Sequence, residues 1–240
     1  MNYPLSKKYN TPELNAKIMG PNPVKLAEEL LQHHKIPTGA TVLDLGSGQG
    51  VTSVFLAMEY GFKVYAGDLW SNPAENQKFF RAMGLSDEQV IPVKADAENP
   101  PFEENFFDAV VSIDSYNYFG RNISYLDAKL LPCVKPGGLI YLSFPGMKQD
   151  MHQHLPPELL LSWTPEQLDY MHDLVFWEKI FAAAHNAELI SLTEMASNEE
   201  VWHDWLVCNN QYAINDRKSM NAGGGKYLNF IAAVIRKKNL

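Results

Sequence analysis

The segment Val42-Leu43-Asp44-Leu45-Gly46-Ser47-Gly48-Gln49-Gly50 constrains the fold of this chain more than any other. A hydrophobic strand runs straight into Gly-x-Gly-x-Gly, and a helical pattern follows from about Thr52. Glycines at such a junction let the backbone turn sharply and let a ligand approach the main chain. The free N–H groups of the helix's first turn point at that ligand. The strand–loop–helix context makes this a candidate nucleotide-binding turn.

The alternation continues on both sides of the loop. Val24, Leu26, Ala27, Leu30 and Leu31 follow a helical spacing over Pro23 to His33, ahead of the strand Thr41–Leu45. Strands are predicted at 63–67, 90–94, 109–113 and 139–143, with helices over 52–60 and from Pro73 to about Met83. Asn72 before Pro73 is a helix start, and Gly84 is placed to end that helix. Apolar runs such as Ala109-Val110-Val111 suit strands covered on both faces. The expectation is an α/β fold with a doubly wound, mostly parallel sheet and helices on both faces. Further strands are predicted at 188–195 and 227–236, the late one antiparallel. Thr164-Pro165-Glu166-Gln167 reads as a capping box opening a helix to about His185, and 145–163 reads as a proline-rich loop.

Composition narrows the function. The 240 residues suit a single domain, and the formal charge of -8 argues against a nucleic-acid partner. No run approaches the length of a membrane span, and the first residues lack the apolar stretch of a signal peptide. The expectation is a cytoplasmic protein with no membrane partner. Cys133 and Cys208 are not in metal-ligand spacing and read as reduced cysteines.

A dinucleotide fold favours Gly-x-Gly-x-x-Gly over a pyrophosphate. Here the third glycine comes one residue early, and Asp44 sits at the strand–loop junction, where it suits a cationic ligand better than phosphates. The segment resembles the first motif of class I S-adenosylmethionine-dependent methyltransferases. Val64-Tyr65-Ala66-Gly67-Asp68, Lys94-Ala95-Asp96-Ala97, Phe106 to Ser112 and Leu130 to Gly138 resemble the family's successive motifs, in order, over about 40–145. The resemblance implies a Rossmann-like sheet of seven strands and S-adenosylmethionine as cofactor. Asp44, Gly46, Ser47, Gly48, Gly50, Asp68, Leu69, Asp96, Ala97 and Asp114 are its implied binding residues. Asp68 would accept the ribose hydroxyls and Asp96 would lie beside the adenine.

Ligands of open α/β sheets bind beyond the carboxyl ends of the strands. That puts Asp114 to Tyr118 beside the acceptor, with Tyr116 and Tyr118 as packing surfaces and Tyr116 and His203 as candidate catalytic residues. A cap is expected from about 1–20, 145–165 and 197–225. Asn99-Pro100-Pro101-Phe102 spells a signature of adenine and glutamine methylation, but it precedes the fourth strand instead of following it, and reads as a turn. His152 and His154 lack an evident third ligand, so no metal is expected. The function expected is methyl transfer to a small molecule at N, O or C. A nucleotide-linked oxidoreductase and a non-catalytic S-adenosylmethionine-binding protein are the alternatives. A lipid acceptor would need an apolar channel.

Overall fold

The computed structural model describes residues 3–239. In chain order its elements are α1 (Pro12–Asn15), α2 (Pro23–Leu30), β1 (Thr41–Leu45), α3 (Val51–Tyr60), β2 (Lys63–Asp68), α4 (Pro73–Ala82), β3 (Val90–Lys94) and β4 (Phe107–Ile113). There follow α5 (Tyr116–Phe119), β5 (Val134–Met147), α6 (Pro165–Leu168), α7 (Leu174–Ala182), β6 (Ala187–Glu194), α8 (Asn198–Leu206), α9 (Gln211–Asn221) and β7 (Leu228–Lys237). Among the described residues, seven strands form one sheet in the order β3-β2-β1-β4-β5-β7-β6. β1 to β5 run parallel, and β7 enters between β5 and β6 antiparallel to both.

Alternate residues of a strand point to opposite faces, so each central strand feeds two cores. Val42, Val64 and Val111 pack with Leu26, Leu31 and Phe55 of the α2–α3 side. Leu43, Val110 and Leu142 pack with Leu130, Trp177 and Phe181 on the other. Burial of each large apolar side chain stabilises the fold by about 1.5–3 kcal/mol. The sequence pattern is apolar at both parities because both faces are covered.

Local signals hold where they are dense. Asn72 caps α4 by accepting the Ala74 N–H at 2.9 Å, with Pro73 in the first turn. The capping box at Thr164 also forms, with Gln167 Oε1 accepting the Thr164 N–H at 2.9 Å and Thr164 Oγ1 accepting the Gln167 N–H at 3.3 Å. Its helix is nevertheless a single turn and does not run to His185. The His172 carbonyl accepts the Met147 N–H at 3.2 Å, which draws the chain to the end of β5. Asp173 then caps a second helix by accepting the Phe176 N–H at 2.9 Å.

The stretch 197–225, expected as part of a cap, contains α8 and α9, and residues 145–147 extend β5. Two adjacent glutamates of α2 anchor this superstructure. Glu28 accepts the backbone N–H groups of Leu5 and Ser6, at 3.0 and 2.7 Å. Glu29 accepts those of Ala196 and Ser197, at 2.7 and 2.9 Å, and the Tyr3 hydroxyl at 2.9 Å. No helix among the described residues is long and apolar enough to cross a membrane.

Candidate active site

The carboxyl ends of β1, β2 and β4 open onto one cavity of about 540 Å³. At its floor the Gly46 and Ser47 N–H groups donate to the Gly67 carbonyl, at 2.8 and 3.2 Å, which ties the glycine loop to β2. Gly46 has φ 79° and Gly50 has φ 83°. A Cβ on Gly46 would lie 2.2 Å from Ser115 Oγ, and one on Gly50 would lie 2.4 Å from the Phe80 ring. The loop therefore needs glycine for both its torsions and its packing.

Asp68 ends β2. Its Oδ2 accepts the Gly48 N–H at 3.0 Å, and its Oδ1 accepts those of Trp70 and Ser71 at 2.8 and 2.6 Å. The carboxylate is thus fixed at the cavity wall, with an acceptor site of Oδ2 left for a ligand hydroxyl. Asp44 lies beneath the loop, 1% exposed. Its Oδ2 accepts the Thr52 and Ser53 hydroxyls at 2.7 and 2.6 Å, and its Oδ1 has no partner. Burial pushes its carboxyl up to about 6 against the pull of the Ser53 and Thr52 hydroxyls, and the Asp68 charge adds to the rise.

Asp114 follows β4 at φ 56°. Its carboxylate presses on the Gly20 backbone, where a Cβ would lie 2.0 Å from Oδ2. Burial pushes this carboxyl up to about 8, and the charge of Asp216 on α9 adds to it. Asp216 is held in turn by the Trp205 indole N–H at 2.9 Å and by the Trp163 side chain. Burial raises its pKa as well. Among the described residues, none of the ion pairs includes Asp114 or Asp216. Tyr118 lines the cavity too, its phenol pushed up to about 12 by burial and by the carboxylates of Asp114 and Asp216.

Of the expected binding residues, the cavity gathers Gly46, Ser47, Gly48, Asp68, Leu69, Asp96, Ala97 and Asp114. Asp44 and Gly50 support the loop from behind and do not line the cavity. The two expected catalytic residues are not brought in. The Tyr116 ring is wholly buried among Phe119, Tyr125, Phe144, Trp177 and Phe181, which makes it a core residue. His203 is exposed on α8. Its neighbour Asp204 bonds instead to Asn22 at 2.7 Å and Lys25 at 2.8 Å, so that carboxylate does not orient the imidazole.

Lining residues that the sequence reading did not single out include Ile18, Met19 and Gly20, which lie at the end of the expected N-terminal cap segment, and Trp70. No periodicity marks the first three, and the contact of Gly20 with Asp114 spans most of the cofactor core. Trp70 directly follows the expected Asp68–Leu69 pair, and its 87% exposure beside a cavity is visible only in three dimensions. Outside the cavity, His152 meets Asp169 and His172, with ligand atoms within 4.8 Å of one another. These are partners the sequence reading did not supply. Here the Arg121 guanidinium already pairs with Asp169 at 2.7 Å, and Asp150 accepts at His152 Nδ1 at 2.6 Å.

The sheet order, the antiparallel β7 and a ligand cavity over the first glycine loop define a Rossmann-like methyltransferase fold. Residues 43–142 match the methyltransferase domain family, and that match spans the motifs that resemble class I S-adenosylmethionine-dependent methyltransferases. It is 32% identical over 174 residues to 2-methyl-6-phytyl-1,4-hydroquinone methyltransferase of Synechocystis, a match covering 72% of this chain and 51% of that one. It is 27% identical over 176 residues to "Probable protein arginine N-methyltransferase 6" of Arabidopsis thaliana, covering 72% of this chain and 37% of that one. The chain thus spans about half or less of these relatives' length. Among solved structures, phosphoethanolamine N-methyltransferase 2 of Haemonchus contortus with S-adenosyl-L-methionine superposes with a TM-score of 0.71 at 19% identity. That match covers 98% of this chain and 59% of the other, and it speaks for the fold.

The residues present fit S-adenosylmethionine. Asp68 offers a carboxylate to the ribose hydroxyls, and the glycine loop leaves its floor clear for the ligand. Asp44 Oδ1 and Ser47 Oγ are buried without partners beside that floor. No pyrophosphate is needed to satisfy this set, and the acidic lining opposes one.

Proposed function

We propose that this protein transfers the methyl group of S-adenosylmethionine to a small-molecule acceptor inside the cavity. The carrying observation is that one cavity is lined both by Gly46–Gly48, Asp68 and Asp96 and by Asp114 and Tyr118. Cofactor-type and acceptor-type residues therefore share one chamber. The N-terminal residues Lys17 to Gly20 wall the same chamber, which favours a small acceptor over a protein surface.

S-adenosylmethionine supplies a methyl group already activated on a sulfonium. The chain's own work is to align the acceptor in line and to exclude water. Asp68 orients the nucleoside, the loop fixes its depth, and Tyr118 presents a ring face against a cation. The hydroquinone and phosphoethanolamine enzymes among the similar proteins act on small molecules by their names, which supports the reading. The arginine methyltransferase name supports a protein acceptor, and the assay must include one.

Calorimetric titration with S-adenosylhomocysteine, with NAD as the comparison ligand, tests the cofactor. Binding of S-adenosylhomocysteine alone is the expected result. Binding of NAD, or of neither ligand by cofactor-free protein, overturns the proposal. Transfer of labelled methyl to a histone or an arginine-rich peptide, with no small acceptor used, would overturn the acceptor class alone.

A further inference from the structure

We infer that the acceptor is an amine, bound as its ammonium ion against Asp114, and that Asp114 then takes the nitrogen's proton. This rests on the methyltransferase reading, which supplies the methyl donor.

Asp114 lines the chamber, yet among the described residues no side chain forms an ion pair with it. Its backbone N–H donates to the Ser143 carbonyl at 2.7 Å, and the Gly20 main chain closes one side of its carboxylate. The titratable groups that act on it are Asp216 of α9 and Tyr118 of α5, with Tyr170 beside Tyr118, and Asp68, Asp96 and Glu98 line the same cavity. Lys17 also lines the chamber, but its Nζ sits over the Phe79 ring, 4.4 Å from the centroid. Asp216 is committed to indole donors, which fix its position without cancelling its charge.

A half-buried carboxylate without a counterion is costly to ionise, and a second one within its field adds to that cost. A ligand that brings a positive charge removes that cost. An alcohol or thiol leaves it standing, and an anionic acceptor is repelled by both groups. The Tyr118 face beside Asp114 adds a surface that attracts a cation.

The same pair resolves the problem that an ammonium ion is not a nucleophile. Its N–H proton passes to the Asp114 carboxylate, leaving a neutral amine with a free lone pair. That pair forms the new N–C bond to the methyl carbon as the C–S bond breaks, and the bonding electrons of C–S stay on sulfur. The products are a methylated ammonium ion, S-adenosylhomocysteine and protonated Asp114.

The test is calorimetry on the full chain saturated with S-adenosylhomocysteine, with matched ligands at millimolar concentration. Benzylamine and butylamine are compared with benzyl alcohol, butanol and the corresponding carboxylates, at pH 7 in two buffers of different ionisation enthalpy. The amines are expected to bind about tenfold tighter than the alcohols. Each is expected to release about one proton as Asp114 ionises. Asp114→Asn, compared at an S-adenosylhomocysteine concentration that its own titration shows to be saturating, should abolish both the preference and the release. Equal binding of alcohols or carboxylates, no binding of either amine, or proton release that persists in the variant overturns the inference. Failure to bind S-adenosylhomocysteine strikes the methyltransferase reading instead, so the two failures are distinct.

Discussion

Asp114 lines the cavity without an ion-pair partner among the described residues, and its cost has a measurable sign. An aspartate in the unfolded chain titrates near about 3.9, whereas burial and Asp216 hold this one at about 8. Between those values the folded state binds more protons than the unfolded state, so this residue's contribution to stability falls as pH rises. Asp114→Asn, which also tolerates the left-handed backbone, should stabilise the protein by roughly 1–3 kcal/mol at pH 8. It should make no difference near pH 4, as thermal melts across that range would show. Gly50 gives the opposite kind of prediction. Gly50→Ala combines a left-handed torsion with a clash against Phe80 and should destabilise the fold by at least about 2 kcal/mol in urea titration. Asp68→Ala, which removes the cavity's fixed carboxylate at the end of β2, should weaken S-adenosylhomocysteine at least about tenfold by calorimetry.

At the scale of elements, the cap depends on a few side chains of α2. Glu29→Ala leaves the Ala196 and Ser197 N–H groups and the Tyr3 hydroxyl without their acceptor. Each lost charge-assisted bond is worth about 1.5–3 kcal/mol at most, so the segment into α8 should exchange its amide protons faster while the sheet stays protected. Elements with their own signals were legible in the sequence: β1 to β4, the Asn72 cap, the Gly84 stop and the capping box at Thr164. The helix after Thr164 was not, because a long-range bond from Met147 to His172 interrupts it. α8 and α9 were missed for a related reason. Their apolar residues face both the core and each other, and Trp205 is spent on Asp216, so no simple stripe appears.

For the whole molecule, the ligand cavity is closed by segments distant in the chain. Saturating S-adenosylhomocysteine should slow amide exchange at residues 17–20 as well as at 46–48 and 68–71. At a hundred times its dissociation constant it should stabilise the protein by about 2.7 kcal/mol. Protection confined to the glycine loop would mean that the N-terminal segment does not close on the ligand.

The sequence by itself determined the sheet's parallel core, the glycine loop and the carboxylate at the end of β2. Each of these is written in adjacent residues: an apolar run, a glycine spacing, an acid after a strand. The sequence therefore named residues that come together in space, since the chamber gathers eight of the ten expected to hold the cofactor. Only the tertiary structure decided the acceptor side. It buried Tyr116 in an aromatic core, left His203 in solvent, and set Asp114 between Gly20 and the field of Asp216. Those relations join residues separated by most of the chain, and burial, which sets the charge of Asp114, belongs to the packed molecule and to no segment of it.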